Sequence, residues 1–173
     1  MKRRGFTLVE LLVVLAVGSI LLAIAVPGYA FMVNANRLAA VSNDLVTALH
    51  LARSEAIKRG TRVTVCKTGD AMAVSPACST TANWQDGWLV FVDGGTRGVI
   101  DSDDTLLWTR AQIAAGTIDP GSNFSRFVSY LASGVSQGSG NFANGTLRIC
   151  LASNQRDIII NNTGRIRLES VVC

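Results

Sequence analysis

The twenty-one residues from Phe6 to Val26, FTLVELLVVLAVGSILLAIAV, carry one charge, Glu10. Thr7, Gly18 and Ser19 are the other interruptions of an otherwise apolar run. As a helix rising about 1.5 Å per residue it is about 30 Å long, the hydrocarbon thickness of a bilayer. A small domain cannot bury such a rod on every side, so its free surface belongs in lipid or against neighbouring helices. Met1-Lys2-Arg3-Arg4-Gly5 precede it, and that basic start puts the N-terminus on the cytoplasmic side. A secretory signal peptide shares the basic start. Its apolar region is shorter, however, and Leu22-Ala23-Ile24-Ala25-Val26 makes an unconvincing cleavage site. A plain signal anchor explains all of this except Glu10. A carboxylate inside a spanning helix costs about 2.5–3.5 kcal/mol at the bilayer centre and less near its edge, so Glu10 calls for a partner or for headgroup depth.

The four cysteines, Cys66, Cys78, Cys150 and Cys173, all follow the apolar run, on its non-cytoplasmic side. An even number there favours two disulfides. Three pairings are open; Cys66–Cys78 with Cys150–Cys173 is favoured because each closes a local loop, and each closure contributes roughly 3 kcal/mol. Zinc fits poorly, with no C-x-x-C and a single histidine, His50. No metal or cofactor is expected. Asp93, Asp101, Asp103 and Asp104 do not match a calcium-loop spacing and read as an acidic solvated loop. Catalysis is the least supported class, since no nucleophile elbow or phosphate-binding glycine loop is present.

Beyond Pro27 and Gly28, apolar residues recur at Leu38, Val41, Leu45, Leu49, Ala52 and Ala56, the stripe of an amphipathic helix. Lys58, Arg59 and Gly60 supply its C-terminal signature. One kinked helix is expected from about Phe6 to Arg59, about 80 Å long at standard rise. The period then changes to two. Strands are expected at Arg62–Cys66, Trp88–Val92, Leu106–Arg110, Phe127–Leu131, Thr146–Leu151, Asp157–Asn161 and Arg165–Leu168. Residues 112–125 are ambiguous, and Gly134–Gly145 reads as a surface loop. Asn162-Thr163-Gly164 suits a hairpin turn. The expectation is an α+β fold, a long kinked N-terminal helix packed on an antiparallel sheet. Its segments are a leader (1–5), a transmembrane half-helix (6–26), an amphipathic half-helix (27–60) and a β-rich globular region (61–173) that packs with the latter. No internal repeat is seen.

The formal charge of +4 includes Lys2, Arg3 and Arg4; without residues 1–5 the chain holds thirteen basic and twelve acidic side chains, a net +1. Residues 60–125 carry four basic and seven acidic side chains, whereas 126–173 carry five arginines, no lysine and two acidic residues. That end, with Arg126, Arg148, Arg156, Arg165 and Arg167, is mildly positive and suited to forked contacts with phosphate or carboxylate.

Lys2-Arg3-Arg4-Gly5-Phe6-Thr7-Leu8-Val9-Glu10-Leu11-Leu12 resembles the leader of type IV prepilins and type II secretion pseudopilins. The resemblance implies cleavage between Gly5 and Phe6 by a prepilin peptidase, methylation of the new Phe6 amine, and a role for Glu10 in assembly. The amine of a neighbouring subunit is then its natural partner. The segment Leu45–Gly60, LVTALHLARSEAIKRG, together with Gly87-Trp88-Leu89-Val90-Phe91 and Gly164-Arg165-Ile166-Arg167, is similar to the GspH/FimT family of minor pilins and pseudopilins. This likeness extends over nearly the whole chain. It implies a single-pass protein of the bacterial inner membrane with a periplasmic globular region, partnered by other pilins or pseudopilins.

In FimT-type members a Gly-Arg-x-Arg element is linked to capture of extracellular DNA in natural transformation. Here that element implies non-sequence-specific contacts to double-stranded DNA by Gly164, Arg165 and Arg167, with Arg148, Arg156 or Arg126 in support. Two residues apart on a strand, Arg165 and Arg167 share a face about 6.6 Å apart, while Ile166 and Leu168 face the core. Gly164 leaves the approach open, and the Gly134–Gly145 loop lies near in this reading. Two arginines alone hold DNA weakly at physiological salt. Aromatic stacking lacks support, because Trp84, Trp88 and Trp108 precede the basic region and Trp88 reads as core. The alternative is a structural minor pseudopilin of a type II secretion pseudopilus or a pilus tip, with the same arginines meeting protein partners.

Overall fold

The computed structural model describes residues 7–140 and 142–173, so the expected cleavage and methylation positions, Gly5 and Phe6, lie outside the described residues. The chain forms two compact units divided between Asn36 and Arg37. Helix α1 (Leu8–Arg59) contributes to each.

In the first unit the helix presents its apolar side chains outward. Leu8, Leu15, Leu22 and Phe31 are 60–74 % exposed. Among the described residues it is the one helix long and apolar enough to cross a membrane. Helix runs without a break through position 27. At its start, the Glu10 N–H donates to the Thr7 hydroxyl at 3.2 Å and the Thr7 N–H donates to the Glu10 carboxylate at 3.4 Å. This is a Thr-x-x-Glu capping box, a role for Glu10 that the apolar pattern concealed.

In the second unit the expected stripe is buried. Leu38, Leu45, Leu49, Ala52 and Ala56 join one core, with Val41 packed against it. At the helix end, Lys58 and Arg59 both close on Glu55, at 3.5 and 2.5 Å. Among the described residues nine strands follow: β1 (Val63–Lys67), β2 (Gly87–Val92), β3 (Thr105–Ala111), β4 (Thr117–Asp119), β5 (Phe127–Tyr130), β6 (Ser136–Gly138), β7 (Gly145–Leu151), β8 (Asn154–Ile160) and β9 (Ile166–Val172). They make two antiparallel sheets, ordered β3-β2-β1-β5-β6 and β4-β7-β8-β9. The expected C-terminal meander is the second of these.

Strand alternation divides the first sheet into two apolar faces. Val63, Val65, Trp88, Val90, Val128 and Tyr130 join the helix core. Cys66, Leu89, Phe91 and Phe127 form a second cluster on the opposite face. There, buried Asp93 accepts hydrogen bonds from the Arg62 guanidinium (2.6 Å), the Thr64 hydroxyl (2.6 Å) and the Gly98 N–H (2.8 Å). A buried carboxylate persists only with such partners.

Three expectations are corrected. Gly134–Gly145 contains a strand, β6, and Gly134, Ser136 and Gly138 are buried. The small residues serve close packing: a side chain at Gly138 would strike the Asn123 carbonyl and the Phe124 ring. The ambiguous 112–125 segment contains β4, paired to β7 through Ile118 and Ile149. The gap between the strands expected at Thr146–Leu151 and Asp157–Asn161 shrinks to Ala152-Ser153, because β8 begins at Asn154 and pairs along its full length with both neighbours. Ala152 takes φ 55° to close it. The disulfides are Cys66–Cys78 and Cys150–Cys173, and Cys173 N–H also donates to the Ser153 carbonyl at 3.3 Å.

Candidate interaction surface on the C-terminal sheet

Register decides which arginines are free. Residues directly opposite in antiparallel strands share a face. Arg148 on β7 lies opposite Asp119 on β4 and Asp157 on β8, and Asp157 lies opposite Glu169 on β9. The Arg148 guanidinium reaches Asp119 at 3.3 Å and Asp157 at 4.0 Å. Two carboxylates thus meet one guanidinium, so Arg148 is already committed. Arg156 lies opposite buried Ile149 and stands on the core side of the sheet. Arg126 precedes β5 in the other sheet, its guanidinium 5.9 Å from the Phe127 ring centroid. The structure therefore does not gather these three beside the Gly-Arg-x-Arg segment.

Arg165 and Arg167 flank Ile166 at the start of β9. Both are exposed, and neither has an acidic partner among the described residues. Arg167 lies opposite Ile159. Backbone bonds hold their hairpin: Asn161 N–H to the Arg165 carbonyl (3.1 Å), Gly164 N–H to the Asn161 carbonyl (2.9 Å), and Arg165 N–H to the Asn161 side chain (2.8 Å).

Gly164 faces inward. It is buried at φ 75°, and a side chain there would collide with the Gly134 carbonyl and meet the Tyr130 ring at 3.0 Å. Its place in the segment is to let the hairpin close onto β5 and the 131–134 turn. Beneath it lies Arg53 of α1, which sequence reasoning left out of the site. Arg53 Nε donates to the Gly134 carbonyl at 3.1 Å, and Nη2 donates to the Thr163 carbonyl at 2.9 Å. The available signal was a charge set beside the apolar stripe at Ala52. Neighbouring Tyr130 is buried, its hydroxyl unpaired among the described residues, and burial pushes its phenol well above the ordinary tyrosine range.

Around Arg167 a groove of about 430 Å³ is lined by Asn144, Thr146, Ile159, Asn162 and Thr163. An adjoining groove shares Asn144 and Thr146 and ends at Arg148. Phe142, 73 % exposed, stands on the rim of the second. Trp84 and Trp88 are buried and Trp108 half-buried.

β9 is an open edge. Ile166 packs against the core, but Leu168 corrects its expectation. It shares the face of buried Leu147 and Ile158 and is nevertheless 41 % exposed, because no strand lies beyond it. Val171 and Val172 are 47 % and 78 % exposed. Elsewhere, His50 is exposed on α1. Asp101 and Asp104 accept backbone N–H bonds from Thr96 and Gly94 within their own loop, at 2.7 and 2.8 Å. No group of residues suited to holding a metal occurs among the described residues.

The family model for type II transport protein GspH matches residues 41–164, and the prokaryotic N-terminal methylation motif matches residues 1–26. Two crystal structures of the Pseudomonas aeruginosa PAO1 type IV minor pilin FimU share the fold. One, in space group P21, aligns with TM-score 0.57 at 20 % identity, over 78 % of this chain and 89 % of that one. The other, in P65, aligns with TM-score 0.53 at 19 % identity, over 76 % and 92 %. No curated protein sequence matches. The chain belongs to the GspH family of type II transport proteins, and it joins the prokaryotic N-terminal methylation motif to one helix long and apolar enough to cross a membrane.

Proposed function

We propose that the chain is a structural subunit that meets protein neighbours through two surfaces, the apolar helix of 8–26 and the open edge of β9. The observation that carries this reading is β9 itself: unpaired backbone along one side, exposed Leu168, Val171 and Val172, and free Arg165 and Arg167. An unpaired edge with apolar side chains is a pairing surface. Arginine beside apolar residues is the composition of a protein interface. At the other end, cleavage between Gly5 and Phe6 and methylation of Phe6 leave an amine that a neighbour's Glu10 pairs with on assembly. Glu10 then exchanges its own Thr7 cap for that charge.

One observation favours a second reading. Arg167 in the amide- and hydroxyl-lined groove, with exposed Arg165 two residues before it, offers polar groups able to take phosphodiester oxygens without reading sequence. In that reading the subunit also captures DNA. Two free guanidiniums give weak, salt-sensitive binding, and useful affinity comes from several subunits along a filament.

Full-length protein in detergent separates the two. Leu168→Lys/Val171→Lys is expected to lose co-purification with pilin-type partners while keeping its thermal midpoint. Arg165→Gln/Arg167→Gln then reports on DNA by NMR titration with a duplex at several salt concentrations. Loss of DNA shifts with partner binding intact supports capture. Partner binding undisturbed by the β9 variant sinks the edge reading.

A further inference from the structure

The outer face of the first sheet holds a cationic cleft, on a different sheet from β9. Phe127 is buried, and two guanidiniums approach its ring: Arg97 at 5.6 Å and Arg126 at 5.9 Å from the centroid. Three chain segments build the cleft, and each is tied down. Arg97 comes from the loop that buried Asp93 anchors through the Gly98 N–H at 2.8 Å. Arg126 is held by its carbonyl, which accepts from the Lys67 N–H at 3.2 Å, and by its own N–H, which donates to the Ser139 hydroxyl at 3.2 Å. Cys78, Ser79 and Thr80 form the third side, fastened by the Cys66–Cys78 disulfide and by the Ser79 N–H to the Lys67 carbonyl at 2.8 Å.

Neither Arg97 nor Arg126 has a carboxylate within ion-pair distance among the described residues, and the polar contact of Arg97 is Gln137 at 3.3 Å. Lys67 does not line the cleft, but its charge and that of Arg126 act on each other. Its ammonium is held below the usual lysine range chiefly by partial burial and then by the Arg126 charge, with Asp86 opposing. The interaction with the ring contributes only about 0.5–1 kcal/mol per exposed guanidinium, so the cleft has capacity left for an anion. Its rim is apolar. Val99 lines it at 47 % exposure, and Met72 and Val74 are exposed within the disulfide-side loop. Guanidinium and aromatic groups rimmed by exposed aliphatics fit a protein surface; a nucleic-acid track would need a continuing basic groove.

We propose that Arg97 and Arg126 form an oxyanion site that takes the carboxylate of an acidic side chain on a partner subunit. The guanidiniums supply forked hydrogen bonds. The cleft and the β9 edge lie on different sheets, so each stands or falls by itself.

The test uses full-length protein in detergent with nitrogen-labelled arginine side chains, titrated in turn with a blocked Leu-Glu-Glu-Leu peptide, inorganic phosphate and a short DNA duplex. The peptide is expected to shift the Nε–H signals of Arg97 and Arg126 and leave those of Arg165 and Arg167 in place. Arg97→Gln/Arg126→Gln is expected to weaken peptide binding at least about tenfold with an unchanged thermal midpoint. Arg97→Lys/Arg126→Lys, which keeps charge but not the fork, should fall between. Three outcomes overturn the proposal: no shift with the peptide, shifts with DNA or phosphate but not the peptide, or peptide shifts that survive in the double glutamine variant. If the glutamine variant does not fold, the lysine variant decides, and affinity equal to wild type overturns the forked geometry.

Discussion

Arg53 on α1 holds Thr163 in the hairpin that presents Arg165: its Nη2 donates to the Thr163 carbonyl at 2.9 Å while Nε reaches Gly134 at 3.1 Å. One helical side chain thus joins two turns distant in sequence. Arg53→Met keeps the aliphatic stem and removes both charge-assisted bonds. Stability is expected to fall by about 2 kcal/mol in urea denaturation, and the Gly164 amide should exchange faster with solvent. Unchanged exchange at Gly164 would show that the hairpin closes without Arg53.

Gly164→Ala should be more damaging than either arginine substitution beside it. The methyl group would meet the Gly134 carbonyl in a left-handed backbone conformation. Left-handed strain and overpacking together are expected to cost about 2–4 kcal/mol. Loss of any binding in this variant would follow loss of the hairpin, so a thermal melt must accompany each binding measurement.

Tyr130 makes stability depend on alkaline pH. Burial raises its pKa above the value of about 10 in an unfolded chain. The folded state therefore keeps a proton that the unfolded state releases. This contribution is complete below about pH 10 and is lost as pH rises through the folded value. Tyr130→Phe should abolish that part of the decline. At about pH 8 it should be neutral or stabilising by about 1 kcal/mol, since the buried hydroxyl lacks a partner among the described residues. Denaturant midpoints at the two pH values check both statements.

The two disulfides should differ in consequence. Each closes a short loop, with separations of 12 and 23 residues, and in a chain-entropy account each contributes roughly 3 kcal/mol. Cys150→Ser/Cys173→Ser releases the exposed end of β9 and should cost about that much. Cys66→Ser/Cys78→Ser also buries a hydroxyl where Cys66 joins the Phe91–Phe127 cluster. Its loss should be larger by about 1–3 kcal/mol. Equal denaturation midpoints for the two pairs would contradict this ranking.

Much of the architecture was legible along the chain. The stripe from Leu38 to Ala56, the strands at β1, β2 and β5, and the hairpin at Asn161–Arg165 follow from local period and turn chemistry. β6 was hidden because Ser136-Gln137-Gly138 carries no apolar alternation; it pairs in a space where only small residues fit. β4 was hidden because three residues, Thr117–Asp119, are too few for a period to show. The capping role of Glu10 was masked by the stronger message of a charge in an apolar run.

The amino-acid order by itself determined the exposed rod, its amphipathic continuation and the change to strands, because each is a property of residues a few positions apart. The free or occupied state of each arginine was decided only in three dimensions. Arg148 meets Asp119 and Asp157 through strand register, Arg156 turns toward the core, Gly164 is buried over Arg53, and Arg97 converges with Arg126 on one ring. Ion pairing falls off over a few ångströms, and residues tens of positions apart reach that range only once sheet pairing has set their register.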